Sequence, residues 1–223
     1  MISFSKENFL KQLWSDQENG NAFTAFSFLA EELKVSNAAI TDMARKLAVQ
    51  GFVNHIPYKG MTLTQKGKTE ALKVVRRHRL WELFLIRTLG MNWADVHEEA
   101  EKLEHHSSEK LIDRIEEFMD FPRFDPHGAP IPDRFGNIPN VPELTLFSDA
   151  IVGEDYLVAR VYDQDTVLIK YLSRIGLFLN TKIKIHDKID FDNSTWIINS
   201  GNEFLISEKV GQNILLQSLN NIQ

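Results

Sequence analysis

Histidines and carboxylates recur at helical spacing in the middle of this chain, the side chains a divalent cation would need. His78 and Glu82 are four residues apart. His97, Glu101, Glu104 and His105 follow at i, i+4, i+7 and i+8, which places them on one stripe of a helix. Trp93, Val96, Ala100 and Leu103 supply the apolar face beside that stripe. Carboxylates buried without partners are costly, so a cation is their natural partner. Two facing helices that offer His and Glu at this spacing can hold a metal between them. Downstream, Asp125-Pro126-His127-Gly128 puts an acid and an imidazole two apart on a stiffened loop, where both can reach one ion. Taken singly, each fragment has a plainer explanation. A His–Glu pair is often a surface salt bridge, the Glu-rich segment can be a solvated face, and Asp125 can cap a turn. His105 and His106 point about 100° apart on a helix, so at most one of them faces the site.

The elements that must position these groups follow from composition and pattern. The chain has 223 residues, 43% hydrophobic and 25% charged, with no cysteine and a formal net charge of −6. That length suits one or two ordinary domains. Zero cysteine excludes disulfide scaffolds, zinc fingers, Fe–S clusters and a Cys nucleophile. No run approaches the ~18 apolar residues of a membrane span. The opening Met1-Ile2-Ser3-Phe4-Ser5-Lys6 lacks a signal-peptide layout, so a cytoplasmic protein with no membrane partner is expected. The acidic balance argues against nucleic acid at first sight. Yet residues 1–75 hold nine Lys/Arg against seven Asp/Glu, and the other 148 hold sixteen against twenty-four. The head is slightly basic and the body acidic. Six of the seven prolines fall within residues 121–144, marking a connector that is neither helix nor central strand.

Before the connector the pattern is helical. Phe9, Leu10, Leu13 and Trp14 form one apolar face. Thr24 is placed to cap a helix whose inner face is Phe26, Phe28, Leu29 and Leu33. Ser36 is placed to cap the next, with Ile40, Met43, Ala44 and Leu47 inward and Gly51 as its stop. So tight a turn between two short helices predicts helix-turn-helix. Phe52–Ile56 and Met61–Leu63 then alternate like strands around Pro57-Tyr58-Lys59-Gly60, a hairpin wing. Thr64 caps a long helix to about Leu89, Asn92 one to about His106, and Ser107 or Ser108 one to about Met119. After the connector, Leu157–Val161, Lys182–Ile185, Thr195–Ile198 and Glu203–Ile206 predict short strands, interrupted by a helix near Thr166–Ile175. A small all-β SH3-like barrel fits best. The expected division is 1–75, a winged helix-turn-helix; 76–143, a helical metal-binding and dimerisation domain with the connector; and 144–223, the barrel.

In such a head the second helix enters the major groove. Its first turns carry Ser36, Asn37, Ala38, Ala39, Thr41 and Asp42, with Arg45 one turn on. Hydroxyls can bond phosphate or base, and the Ala and Thr methyls can meet thymine methyl. Tyr58 and Lys59 at the wing tip suit the adjacent backbone, as do Lys66 and Lys68. Asp42 is an odd residue to present to DNA. The other reading of a tri-helical head is a protein-interaction module.

The runs Tyr58-Lys59-Gly60, Leu63-Thr64, Lys66-Gly67, Arg77-His78-Arg79-Leu80-Trp81-Glu82 and Val96–His105 resemble the diphtheria toxin repressor family. The connector Asp125–Pro132 is similar too, and Ala159-Arg160-Val161, Asp163-Gln164-Asp165 and Tyr171-Leu172 resemble the family's SH3-like, FeoA-like domain. The likeness runs through nearly the whole chain. It implies a homodimeric, metal-activated transcriptional repressor with two metal sites. One would use Glu101, Glu104 and His105 with a first-helix residue, for which Asn8 is the counterpart of the family's Asp. The other would use His78, Glu82 and His97 with Asp125, His127 and Asp163. Glu101 stands where the iron branch carries Cys, which is like the manganese branch. Lys11 stands where that branch has an acidic residue.

Every candidate ligand is carboxylate, imidazole or amide oxygen, which suits Mn²⁺, with Fe²⁺ close behind; Zn²⁺ or Co²⁺ would substitute in vitro. The expectation is a metal-dependent regulator bound to a double-stranded DNA operator, a repressor of metal-uptake genes. A metallohydrolase needs an open coordination position and a general base. No HExxH or comparable run is present, so no enzyme is expected. The remaining alternative is a metal-independent winged-helix regulator with an organic ligand in the barrel.

Overall fold

The structure, a computed structural model, describes residues 3–162 and 166–219. Contacts gather the chain into two compact units. One comprises Met1–His78, Glu101–Arg114 and Pro132–Ile138; the other comprises Arg79–Ala100, Ile115–Ile131 and Pro139–Gln223.

The first unit begins with α1 (Phe4–Glu18), α2 (Phe26–Glu32) and α3 (Asn37–Val49), then the antiparallel hairpin β1 (Val53–Ile56) and β2 (Gly60–Leu63). Its core is the set of apolar residues that repeat at helix spacing. Phe9, Leu10 and Leu13 of α1 meet Leu29 of α2, Ile40, Ala44 and Leu47 of α3, Val53 and Met61 of the hairpin, and Leu72 of α4 (Gln65–Leu89). Ser36 caps α3 as expected, its Oγ accepting the Ala39 N–H at 3.2 Å. Thr64 Oγ1 accepts the Gly67 N–H at 3.0 Å at the start of α4.

Thr24 does not cap α2. Ala25 holds that position, and Thr24 is buried, its hydroxyl donating to Asp16 at 2.5 Å. Its backbone is taken up elsewhere: Thr24 and Met61 exchange both N–H···O bonds at 3.0 Å, an isolated bridge that pins the hairpin. Gly60 turns there with φ +123°, and a Cβ would lie 2.2 Å from the Thr24 carbonyl oxygen. The close approach of hairpin to chain therefore requires glycine.

Two further helices, α5 (Val96–Glu104) and α6 (Glu109–Phe118), follow α4. Asn92 accepts the Ala94 N–H at 2.9 Å and closes a turn, so α5 starts three residues later than its capping pattern suggests. Ser108 is the cap of α6, accepting from Leu111 at 3.2 Å.

The second unit carries a six-stranded antiparallel sheet in the order β3-β8-β4-β5-β6-β7. Its strands are β3 (Thr145–Leu146), β4 (Asp155–Val161), β5 (Lys182–Ile189), β6 (Ser194–Asn199), β7 (Asn202–Ile206) and β8 (Ile214–Ser218). Register shifts in β4 and β5 bend it. Among the described residues this region also holds a 3-10 turn (Phe147–Asp149) and two α-helices, α7 (Thr166–Arg174), at the place predicted, and the short α8 (Glu208–Gly211). The sheet buries Tyr156, Val158, Ile183, Ile185, Ile197 and Leu216 against Leu168, Ile169 and Leu172 of α7. The predicted strands correspond to β4–β7. β3 and β8 carried no signal, because one is two residues long and Ile214-Leu215-Leu216 is an unbroken apolar run without alternation. Among the described residues no helix is long and apolar enough to cross a membrane.

Candidate metal centre

The second unit gathers Glu82 of α4, His97 of α5, and Asp125 and His127 of the connector. Ligand atoms of Glu82, Asp125 and His127 all lie within 4.8 Å of one another, and all three residues are buried. Glu82 is fully buried; its Oε1 lies 3.2 Å from His97 Nδ1 and its Oε2 3.6 Å from His127 Nδ1. His97 is the most open member, with 22% of its side chain exposed.

The connector holds its two donors in place through its own turn. Asp125 Oδ1 accepts the N–H of His127 at 2.8 Å and of Ala129 at 2.9 Å, while Oδ2 faces Arg79 Nε at 3.6 Å. Arg79 donates to the Pro130 carbonyl at 2.5 Å. Trp93 stacks on the His127 ring, centroids 5.2 Å apart, and its indole N–H donates to the Pro126 carbonyl at 3.2 Å. The His127 backbone carbonyl in turn accepts the Val161 N–H at 2.9 Å. At Gly128, φ +86°, a Cβ would lie 2.1 Å from the Ala159 carbonyl oxygen. Two buried carboxylates and two imidazoles, oriented by surrounding hydrogen bonds, fit a divalent ion with oxygen and nitrogen preference. Sequence reasoning saw Trp93 only as an apolar neighbour and did not single out Arg79. Asp163 lies outside the described residues.

The first unit holds the other cluster, and its occupant is a lysine. Lys11 Nζ lies 2.9 and 3.0 Å from the two Glu104 oxygens, 3.2 Å from His78 Nδ1 and 3.6 Å from Glu101 Oε1. Glu104 is almost fully buried. Burial alone would raise its carboxyl, but the charges on His78 and Lys11 and the hydrogen bonds from both outweigh that and lower it to about 2. His78 Nδ1 is 2.6 Å from Glu104 Oε2. On the same side, His105 Nδ1 meets Glu7 Oε2 at 2.6 Å, and Arg77 donates to Glu7 Oε1 at 2.9 Å. Glu7 is also held below its usual value: burial would raise it, and the His105 hydrogen bond and the Arg77 charge prevail. Asn8 is exposed on α1, so the first-helix side chains that reach the cluster are Glu7 and Lys11. Their i,i+4 spacing was the available signal. His78 stands here, one helical turn before Glu82 on α4.

On α3, Ser36, Asn37, Ala38, Ala39, Thr41, Asp42 and Arg45 are all exposed, opposite the buried Ile40, Ala44 and Leu47. Asp42 pairs with Lys46 at 2.6 Å, and that hydrogen bond holds its carboxyl below the usual value. Tyr58 is fully exposed at the hairpin tip with φ +63°, beside Lys59, whose ammonium lies 5.2 Å from the Phe23 ring centroid. Lys66 donates to the Gln50 carbonyl at 2.8 Å, and Lys68 lies over the Trp14 ring.

Residues 1–61 match "Iron dependent repressor, N-terminal DNA binding domain", residues 64–133 "Iron dependent repressor, metal binding and dimerisation domain", and residues 146–218 "FeoA domain". The chain is 37% identical over 119 residues to an uncharacterised HTH-type transcriptional regulator of Methanocaldococcus jannaschii, covering 53% of this chain and 95% of that one. It is 33% identical to the HTH-type transcriptional regulator MntR of Geobacillus thermodenitrificans, covering 52% and 82%. A manganese-dependent transcriptional repressor solved with manganese superposes with TM-score 0.90 at 35% identity, covering 96% of this chain and all of that one. The manganese regulator SloR superposes with TM-score 0.81 at 30% identity, covering 96% and 98%. The chain belongs to the diphtheria toxin (iron-dependent) repressor family of metal-dependent transcriptional regulators, in its form with a FeoA domain.

Proposed function

We propose that this protein is a homodimeric, Mn²⁺-responsive repressor of metal-uptake genes, acting in the cytoplasm on a double-stranded operator. The observation that carries the reading is the buried convergence of Glu82, Asp125 and His127, with His97 beside them. These four would hold the ion. A bound ion would supply a fixed double positive charge joining α4, α5 and the connector. The chain's own residues do the rest. Arg79 and the loop amides hold Asp125 in its turn, and Trp93 fixes the His127 ring. A carboxylate-rich donor set favours Mn²⁺, then Fe²⁺.

We read α2, α3 and the β1–β2 hairpin as a winged helix-turn-helix. Its exposed α3 face, Ser36 to Arg45, would enter the major groove, with Tyr58 and Lys59 on the flanking backbone. Residues 1–75, 76–143 and 144–223 would serve as DNA-binding, dimerisation and SH3-like barrel domains. The ion must favour the DNA-competent form over the other, or it shifts nothing.

Selection from a random double-stranded DNA library tests this reading. With Mn²⁺ present a single sequence, with inverted half-sites, is expected to be enriched, and none with EDTA. Enrichment of the same sequence under both conditions would refute metal control.

A further inference from the structure

We propose that Lys11 is the resident cation of the Glu101–Glu104–His105 cluster, so that this chain fills with its own ammonium a position where family membership would place a metal ion. The inference rests on the metal-responsive reading above and adds that the response runs through the Glu82–Asp125–His127 centre alone.

The geometry of the cluster is that of an ion shell around Nζ. Both Glu104 oxygens and Glu101 Oε1 converge on it at 2.9 to 3.6 Å, while His105 turns Nδ1 to Glu7 at 2.6 Å and Nε2 to Glu104 at 3.3 Å. These are carboxylate oxygens that a divalent ion would need. The Lys11 side chain is only 15% exposed and Glu104 1%, so the pair is not a solvated surface contact. Glu7, the other first-helix carboxylate, is spoken for by Arg77 and His105. Two fixed cations, Lys11 and Arg77, therefore already stand among Glu7, Glu101 and Glu104. A divalent ion could enter only by expelling Lys11, because two like charges would otherwise share the same oxygens. The cluster as built does not fit a metal. It fits a permanent clamp between α1 and the end of α5, made without regard to metal supply.

The consequence is a stoichiometry. Dialysis of the full-length protein against excess Mn²⁺, followed by elemental analysis, is expected to give about one ion per chain. Lys11→Met, which keeps an apolar stem without the charge, and Lys11→Glu, which supplies a ligand, are expected to give about two. Lys11→Arg keeps the charge and is expected to stay at the wild-type value. Glu82→Gln is expected to lose the wild-type ion. Two ions on the wild-type chain, an unchanged count in both Met and Glu variants, or retention of the wild-type ion in Glu82→Gln would each overturn the proposal. No ion on the wild type with about one on Lys11→Met would sustain the clamp and sink the other centre instead. Far-ultraviolet circular dichroism of each variant reports folding, and the wild-type count decides the matter even where a variant does not fold.

Discussion

Lys11 of α1 and Glu104, the last residue of α5, lie 2.9 Å apart in an ion pair almost closed to solvent. They are 93 positions apart in sequence, so the pair fixes a long-range contact in the first unit. Removing one partner of such a pair strands the other charge, at a cost on the order of 3 kcal/mol. Lys11→Met should lower the melting temperature in metal-free buffer by several degrees, about 2–4 °C per kcal/mol at this size. A scanning calorimeter reads the shift, and an unchanged midpoint would mean the pair contributes nothing.

Glu104 also predicts an acid limb. Its carboxyl is lowered from 4.5 to about 2, so its ionised form favours the folded state. The contribution is fully present above the unfolded value, near 4.5, and is lost as pH falls toward 2. The shift corresponds to on the order of 3 kcal/mol. Urea midpoints between pH 5 and 3 should fall for the wild type and less steeply for Glu104→Gln. Equal slopes would remove Glu104 from the account.

Trp93 and Gly128 support the centre without offering a ligand. Trp93→Phe keeps the stack on His127 and loses the hydrogen bond to Pro126. Loss of a supporting contact of this kind typically costs about 10-fold or more in metal affinity. Gly128→Ala puts a Cβ against the Ala159 carbonyl at a positive φ, with strain on the order of 1–3 kcal/mol from backbone conformation alone. Calorimetric titration with Mn²⁺ should show weaker binding for both, and wild-type affinity in Gly128→Ala would show that the turn does not position Asp125 and His127.

Arg45 and Asp42 should act oppositely on DNA. Arg45→Ala removes an exposed cation from α3 and should reduce the slope of log affinity against log salt by about 1 if it meets phosphate. Asp42→Ala removes a carboxylate and frees Lys46, so affinity should rise. Anisotropy at several salt concentrations separates the two, and a fall in affinity for Asp42→Ala would make that residue a base reader.

Much of this molecule was legible from residue types and spacing. The 3.6 period gives α1 and α3 with their inner faces, and Ser36, Thr64 and Ser108 mark the starts of α3, α4 and α6. The sequence offers Glu82, Asp125 and His127 as ligands, and they converge. What escaped depends on long-range pairing. Thr24 looks like a cap, but its bridge to Met61 claims its backbone and Asp16 its hydroxyl. Asn8 follows only from its match to the family's first-helix Asp, and one position along a helix turns a side chain by about 100°, so the carboxylate that reaches the cluster is its neighbour Glu7. Lys11 stands out in sequence only as a base where the manganese branch has an acid, and the fold brings it onto Glu104.

The central claim is that an ion at Glu82, Asp125 and His127 raises DNA affinity. Its most direct test is the affinity for the selected DNA, measured by anisotropy across a range of free Mn²⁺ at one fixed salt concentration, for the wild type and His127→Gln. The account predicts a roughly 5- to 150-fold tightening with Mn²⁺ for the wild type and a flat response for the variant. A flat wild-type response, or the same tightening in both proteins, would contradict it.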